Sequence, residues 1–174
     1  SGEGYWIHIE KTSGDVDVPF SKVVLENVVT NNSGATLTVL NPLGGISVID
    51  ITCYDLLISN CKFVTNNDME NFPLYDATVD DNPGSFITLT CGNVVVQNSS
   101  VNGPNQTFED GADNFLVPAM QIVPTYGVRL IGNNFVSGAL PLQITGTLAS
   151  GLAQNAIYIA GNSFTTSDNG SISQ

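Results

Sequence analysis

ITCYDLLISNCKF, from Ile51 to Phe63, and LTCGNVVVQNSSV, from Leu89 to Val101, carry one pattern at one spacing. Each has two apolar positions two apart, a step of three, two more apolar positions two apart, then Asn, then a large apolar residue three further on. Three more copies are legible. The first has Val18, Phe20, Val23, Leu25, Asn27 and Thr30; the fourth has Val123, Thr125, Val128, Leu130, Gly132 and Phe135. The last has Leu152, Gln154, Ile157, Ile159, Gly161 and Phe164. The closing residues are separated by 33, 38, 34 and 29 positions, so the block is constant and the connections are elastic. That is the signature of a stack of similar units with loop insertions.

Residues two apart in a strand share a face, so Leu56/Ile58, Val94/Val96, Val128/Leu130 and Ile157/Ile159 each place a pair on one side. The three-residue step from Cys53 to Leu56 reverses that facing in a straight strand. Both ends point inward only if the chain bends between them. The corner residues are Asn, Asn, Asn, Gly and Gly, the types that best tolerate positive φ. The blocks are rich in Val, Ile and Thr with period two, which argues for strands over an amphipathic helix. The expected fold is all-β: a solenoid of about five coils with loop insertions. Stacking then sets Cys53 over Cys91, Phe63 near Val101 and Phe135, and Asn60 over Asn98, with Asn side chains bonding along the column. Pro19 and Pro124 fall at one block position, between the first two inward residues, and predict a short or irregular first segment there. Residues 1–17 are expected to cap the stack, 18–166 to form it, and 167–174 to be a polar tail.

The segments LLISNCKF, VVVQNSSV, VRLIGNNF and IYIAGNSF resemble the right-handed parallel β-helix repeat of the pectin-lyase-like superfamily, which includes pectate lyases, polygalacturonases and bacteriophage tailspikes. The resemblance spans roughly residues 16–166 and implies the fold far more than any chemistry. Polygalacturonases carry N-T-D, D-D, G-H-G and R-I-K motifs, of which only Asp80-Asp81 has a counterpart here. Pectate lyases need a basic residue beside a calcium-bound acidic sugar. In its low charge and its coils rich in Asn and Gly, the chain is most similar to tailspikes.

Composition narrows the partners. Charged residues make up 11% of the chain, against a typical ~25%. Four basic and sixteen acidic residues give a net charge of −12. No Lys/Arg cluster exists to neutralise phosphates, so nucleic acid is disfavoured. No apolar run approaches the ~20 residues of a membrane-spanning helix, so membrane insertion is not expected. Cys53, Cys61 and Cys91 lack a metal-ligand spacing and are expected to be buried free thiols.

Carboxylates concentrate in two insertions. NNDMENFPLYDATVDDNPGS holds Asp68, Glu70, Asp76, Asp80 and Asp81, and NQTFEDGADNF holds Glu109, Asp110 and Asp113. If both leave the same side of adjacent coils, acids from each come together, and paired carboxylates are the machinery of glycoside hydrolysis. Glu70, Asp81, Glu109 and Asp110 are the candidate catalytic acids. Phe72, Tyr75, Asp76, Phe108 and Asp113 are candidate contacts for a sugar. Asp80, Asp81 and Asp113 also have the oxygen chemistry of a Ca²⁺ site. The same residue types equally form solvated turns. His8 and Arg129 are expected to face outward, and one remote His supports no nucleophilic triad.

The outward positions of the second strand, Leu57, Val95, Arg129 and Tyr158 with Ile131 alongside, are too apolar to stay wet and are expected to be covered by a loop, a terminal segment or another subunit. The expectation is a domain of an extracellular or virion-surface protein, a phage tailspike or fibre that recognises bacterial surface polysaccharide as a homotrimer. A stand-alone pectin-lyase-like hydrolase or lyase and a non-enzymatic shaft or adhesin are the alternatives.

Overall fold

The computed structural model describes residues 7–9, 20–31, 49–64, 86–103, 107–110, 113–116, 118–137, 140–146 and 157–166. In chain order the strands are β1 (Ile7–Ile9), β2 (Phe20–Glu26), β3 (Val29–Asn31), β4 (Ile49–Ser59), β5 (Lys62–Val64), β6 (Ile87–Gln97) and β7 (Ser100–Asn102). They continue with β8 (Thr107–Asp110), β9 (Asp113–Leu116), β10 (Pro118–Ile131), β11 (Asn134–Ser137), β12 (Leu140–Ile144), β13 (Ile157–Ala160) and β14 (Ser163–Thr166). Among the described residues there is no helix.

The described residues are all-β, with two parallel sheets and one hairpin. In the first sheet β4, β6 and β10 lie side by side; β1 and β2 both pair with β4 on one edge, and β12 and β13 both pair with β10 on the other. The second sheet runs β3, β5, β7, β11, β14. β8 and β9 form a separate antiparallel pair. Ile7–Ile9 is therefore a strand of the first sheet, parallel to the start of β4.

Register follows the sequence blocks. Ile51, Cys53, Leu56 and Ile58 pair with Leu89, Cys91, Val94 and Val96. Val23 and Leu25 pair with Leu56 and Ile58, and Val128 and Leu130 with Ile157 and Ile159. In the second sheet Thr30, Phe63, Val101, Phe135 and Phe164 form one file. Cys53 and Leu56 are both buried, while Tyr54 is exposed and Asp55 half-buried. The bend demanded by the three-residue step is present. The core runs from Ile49, Ile51 and Phe86 through Leu56, Val94 and Val128 to Phe63 and Phe135. Slipping β4 by one residue would turn the four buried side chains Ile49, Ile51, Leu56 and Ile58 outward, at roughly 1.5–3 kcal/mol each. That total rivals the ~5–15 kcal/mol net stability of a whole domain, so the register is pinned.

The fourth block departs from its template. Leu89 and Cys91 pair with Ile122 and Pro124, not with Val123 and Thr125, and the register shifts between Pro124 and Gly127. Ile122 and Pro124 are buried; Thr125 is exposed. One extra residue is accommodated as a bulge, where a proline without an N–H costs least in a central strand. The segment is irregular, as Pro124 implied, but β10 is also the longest strand among the described residues. Pro19 lies outside the described residues, as do Val18, Leu152 and Gln154.

The five corners, Asn27, Asn60, Asn98, Gly132 and Gly161, have φ of 57°, 53°, 49°, 65° and 65°. Each of the first four donates its N–H to the next row, to Ser59 O, Gln97 O, Ile131 O and Ala160 O at 2.9–3.1 Å. Two residues on, Lys62, Ser100, Asn134 and Ser163 donate to Val28 O, Cys61 O, Ser99 O and Asn133 O of a neighbouring row at 2.8–2.9 Å. Between them, the N–H just past the corner is taken by a side chain. Cys61 N donates to Ser99 Oγ (3.0 Å), Ser99 N to Asn133 Oδ1 (2.9 Å) and Asn133 N to Asn162 Oδ1 (2.9 Å). The polar ladder expected at Asn60 and Asn98 thus runs through the following residue, while the corner asparagines themselves are exposed. Asn133 Nδ2 also donates to Val96 O at 2.8 Å, and Asn162 Nδ2 to Leu130 O at 2.8 Å.

All three cysteines are free and buried. Cys53 and Cys91 face each other with sulfurs 3.3 Å apart, and Cys61 Sγ lies 3.4 Å from Leu25 O and 3.3 Å from Ser59 O.

Two stability measurements check the corner. Asn98→Gly should stay within about 1 kcal/mol of the parent, whereas Asn98→Val, which must hold a β-branched residue at positive φ, should lose about 1–3 kcal/mol in urea unfolding. Asn133→Ala should lose about 1–3 kcal/mol, because it strands the buried Ser99 N–H.

Candidate functional site

The two acidic insertions have neighbouring roots. One leaves β5 and returns to β6; the other leaves β7 and returns to β10. β5 is paired with β7, and β6 with β10. Both connections therefore leave one corner of adjacent rows and re-enter at adjacent strands.

Inside the second insertion β8 and β9 form a hairpin that sets Asp110 opposite Asp113, Glu109 opposite Asn114 and Phe108 opposite Phe115. Sequence reading treated this stretch as a loop. Thr107–Asp110 and Asp113–Leu116 around a Gly-Ala step form the short-hairpin signal that would have found it. Glu70, Phe72, Tyr75, Asp76 and Asp81 lie outside the described residues, and so does Asp80 of the calcium reading. Among the described residues no group of three His, Cys, Asp or Glu side chains is placed to hold a metal ion.

The outward face of the first sheet is built in rows by the register. Leu57, Val95, Arg129 and Tyr158 form one file, starting from Val24. Ser59, Gln97, Ile131 and Ala160 form the next. Leu57, Val95 and Ile131 are half-buried; Tyr158 and Val24 are each 47% exposed. The Arg129 guanidinium sits over the Tyr158 ring, 5.5 Å from its centre, so the cation screens an aromatic face. Gln97 Nε2 donates to Ser59 Oγ at 3.2 Å.

At the bend lies a group that sequence reading missed. Tyr54 on β4 and Tyr126 on β10 meet with ring centres 5.4 Å apart and planes tilted by 53°, reaching across the strand between them. That strand carries Gly92 at the crossing point. A Cβ there would lie 2.6 Å from Tyr54 O and 3.1 Å from the Tyr126 ring, so the pair requires glycine. The repeat pattern gives no sign of it, because the extra residue between Pro124 and Gly127 shows only in the register with β6. Beside the pair, Asn93 Nδ2 donates to Asp55 Oδ1 at 2.8 Å, which orients the amide and occupies one carboxylate oxygen. An exposed aromatic edge flanked by an oriented amide and a carboxylate offers stacking surface with donors and acceptors beside it, the chemistry that neutral polyhydroxylated ligands require.

Tyr126 holds the Tyr54 phenol above its ordinary value, by hydrogen bonding first and by charge repulsion second. Burial likewise pushes the Cys53 and Cys91 thiols up, Cys91 by a large margin.

No family model, curated protein or solved structure matches this chain. Among the described residues no helix is long and apolar enough to cross a membrane.

Phenolate absorbance during an alkaline titration should show Tyr54 ionising above the ~10 of a free tyrosine, and Tyr126→Phe should return it toward that value. The sign for stability follows. The folded state holds its proton longer than the unfolded one, so the contribution is present below pH ~10 and is lost as pH rises through the folded value.

Proposed function

We propose that the chain is a right-handed parallel β-helix of about five coils, of the pectin-lyase-like type. In our reading it serves as a tailspike or fibre domain that recognises bacterial surface polysaccharide on the virion surface or outside the cell. The in-register stack with its positive-φ corners supports the fold assignment. The observation that carries the functional reading is the Tyr54–Tyr126 pair over Gly92 with the Asn93–Asp55 bond beside it. It presents aromatic and amide surface with a carboxylate beside it, which suits a neutral sugar chain better than an anionic one at a net charge of −12. Adjacent roots for the two acidic insertions favour a cleaving version of the same protein. In that version Glu109 or Asp110 works with Glu70 or Asp81 as acid and base, or with a bound Ca²⁺ ordering the loops. The file Leu57, Val95, Arg129 and Tyr158, with Ile131 beside it, is the face we assign to the axis of a homotrimer.

A panel of capsular and O-antigen polysaccharides tests the reading. Binding to at least one member should weaken about tenfold or more in Tyr54→Ala and in Asn93→Ala. Light scattering should give the mass of three chains. If the domain cleaves its ligand, new reducing ends should fall by about 100-fold or more in Glu109→Gln or Asp110→Asn. A monomer that binds no member of the panel overturns the proposal.

A further inference from the structure

Cys53 and Cys91 are register partners on adjacent parallel strands, and their sulfurs lie 3.3 Å apart. Both are free, with 3% and 2% of their surface exposed. Neighbouring strands lie ~4.8 Å apart, and disulfides span Cα separations of about 4.4–6.8 Å. Closing the sulfurs to the ~2.05 Å of a bond requires a movement of just over 1 Å, within reach of small side-chain rotations. We infer that Cys53 and Cys91 form an oxidative modification site that closes to a disulfide between β4 and β6.

Each thiol has a weak tie to the backbone: Cys53 Sγ to Asp55 O and Cys91 Sγ to Ile51 O, each at 3.5 Å. Their loss on bridging is minor. Cys61 provides a contrast inside the same protein. It is buried too, but its sulfur lies against Leu25 O and Ser59 O past the corner.

A small neutral oxidant suits a buried pair, and hydrogen peroxide is of that class. A thiolate of the pair attacks one peroxide oxygen, the O–O bond breaks, and hydroxide leaves, giving a sulfenic acid. The facing thiol then attacks that sulfur, forming the S–S bond; the departing hydroxide takes up the thiol proton and leaves as water. Two thiols and one peroxide become one disulfide and two waters, so the cysteines are oxidised and the peroxide reduced. Burial keeps both thiols protonated near neutral pH, which makes the first step slow and faster as pH rises. The bridge closes the chain from Cys53 to Cys91, a loop that contains β5 and the first acidic insertion, and so ties β4 to β6. This inference does not depend on the proposed function.

The test treats the folded protein with peroxide, then unfolds it in alkylating reagent and maps the peptides by mass. The expected product has lost two hydrogens in a linked Cys53–Cys91 peptide pair while Cys61 is alkylated. Its unfolding midpoint should rise on the order of 10 °C and fall back on reduction. Cys61→Ser should still form the bridge, whereas Cys53→Ser should not. Two results overturn the inference: all three thiols remaining open to alkylation, or oxidation that stops at sulfinic acid or at a bridge involving Cys61. The unmodified protein decides the matter even if a variant fails to fold.

Discussion

Everything in this molecule depends on like positions lying over like positions from row to row. A single strand–corner–strand block has one apolar side and nothing of its own to bury it against. Its partner is the same side of the next block, delivered by the parallel ladder from Ile51–Leu89 to Ile58–Val96 and by the file Phe63, Val101, Phe135. The corner makes this work. If the chain did not turn at a left-handed residue, the first-sheet and second-sheet strands could not both keep their inward rows on one axis. Asn and Gly at every corner are therefore part of the packing mechanism, not decoration between strands.

The corner also has to account for every backbone donor, because turning the chain rotates one N–H away from the carbonyl that would receive it. Ser99, Asn133 and Asn162 solve this with a side-chain oxygen one row along. The arrangement carries its own geometry: the acceptor must be short and must sit directly after the corner. Asn133, 2% exposed, accepts from one row and donates to Val96 O as well, so it fastens the corner to the first sheet. A buried polar residue here is satisfied rather than costly.

This division explains what the sequence disclosed. Period-two apolar pairs and corner residues report local constraints that recur, so five repetitions were enough to read the register, the bend after Cys53 and the Cys53–Cys91 contact. The bulge in β10 was hidden because the template assumed that the fourth block had the others' length. Ile122 and Pro124 offer an equally good inward pair one residue earlier, and only the neighbour β6 chooses between them. The side-chain ladder was placed one residue too early for a similar reason: Asn is favoured at the corner for its φ and one position later for its amide, and composition alone does not separate these roles. The tyrosine pair was invisible because it joins β4 and β10 across β6, a contact that no local pattern encodes. The candidate carboxylates sit in insertions free of the repeat, so spacing that locates their roots says nothing of where their side chains come to rest.

Burial along the stack shows how directly packing follows from neighbours. Leu56, Ile58, Val94, Val96, Val128 and Leu130 are at most 2% exposed, each with a row on both sides. Ile157 and Ile159 occupy the same block positions in the outermost described row and are 50% and 48% exposed; Phe164, stacked on Phe135 at 5.3 Å, is 47% exposed. These residues are as apolar as those of the inner rows, so composition does not set the difference. The number of adjacent rows does. Stability in such a stack is close to a sum of nearest-neighbour terms, with an outer row held by one interface and an inner row by two. A lesion at Leu130 therefore weakens two interfaces while the same lesion at Ile159 weakens one, although both residues answer to the same letter of the repeat.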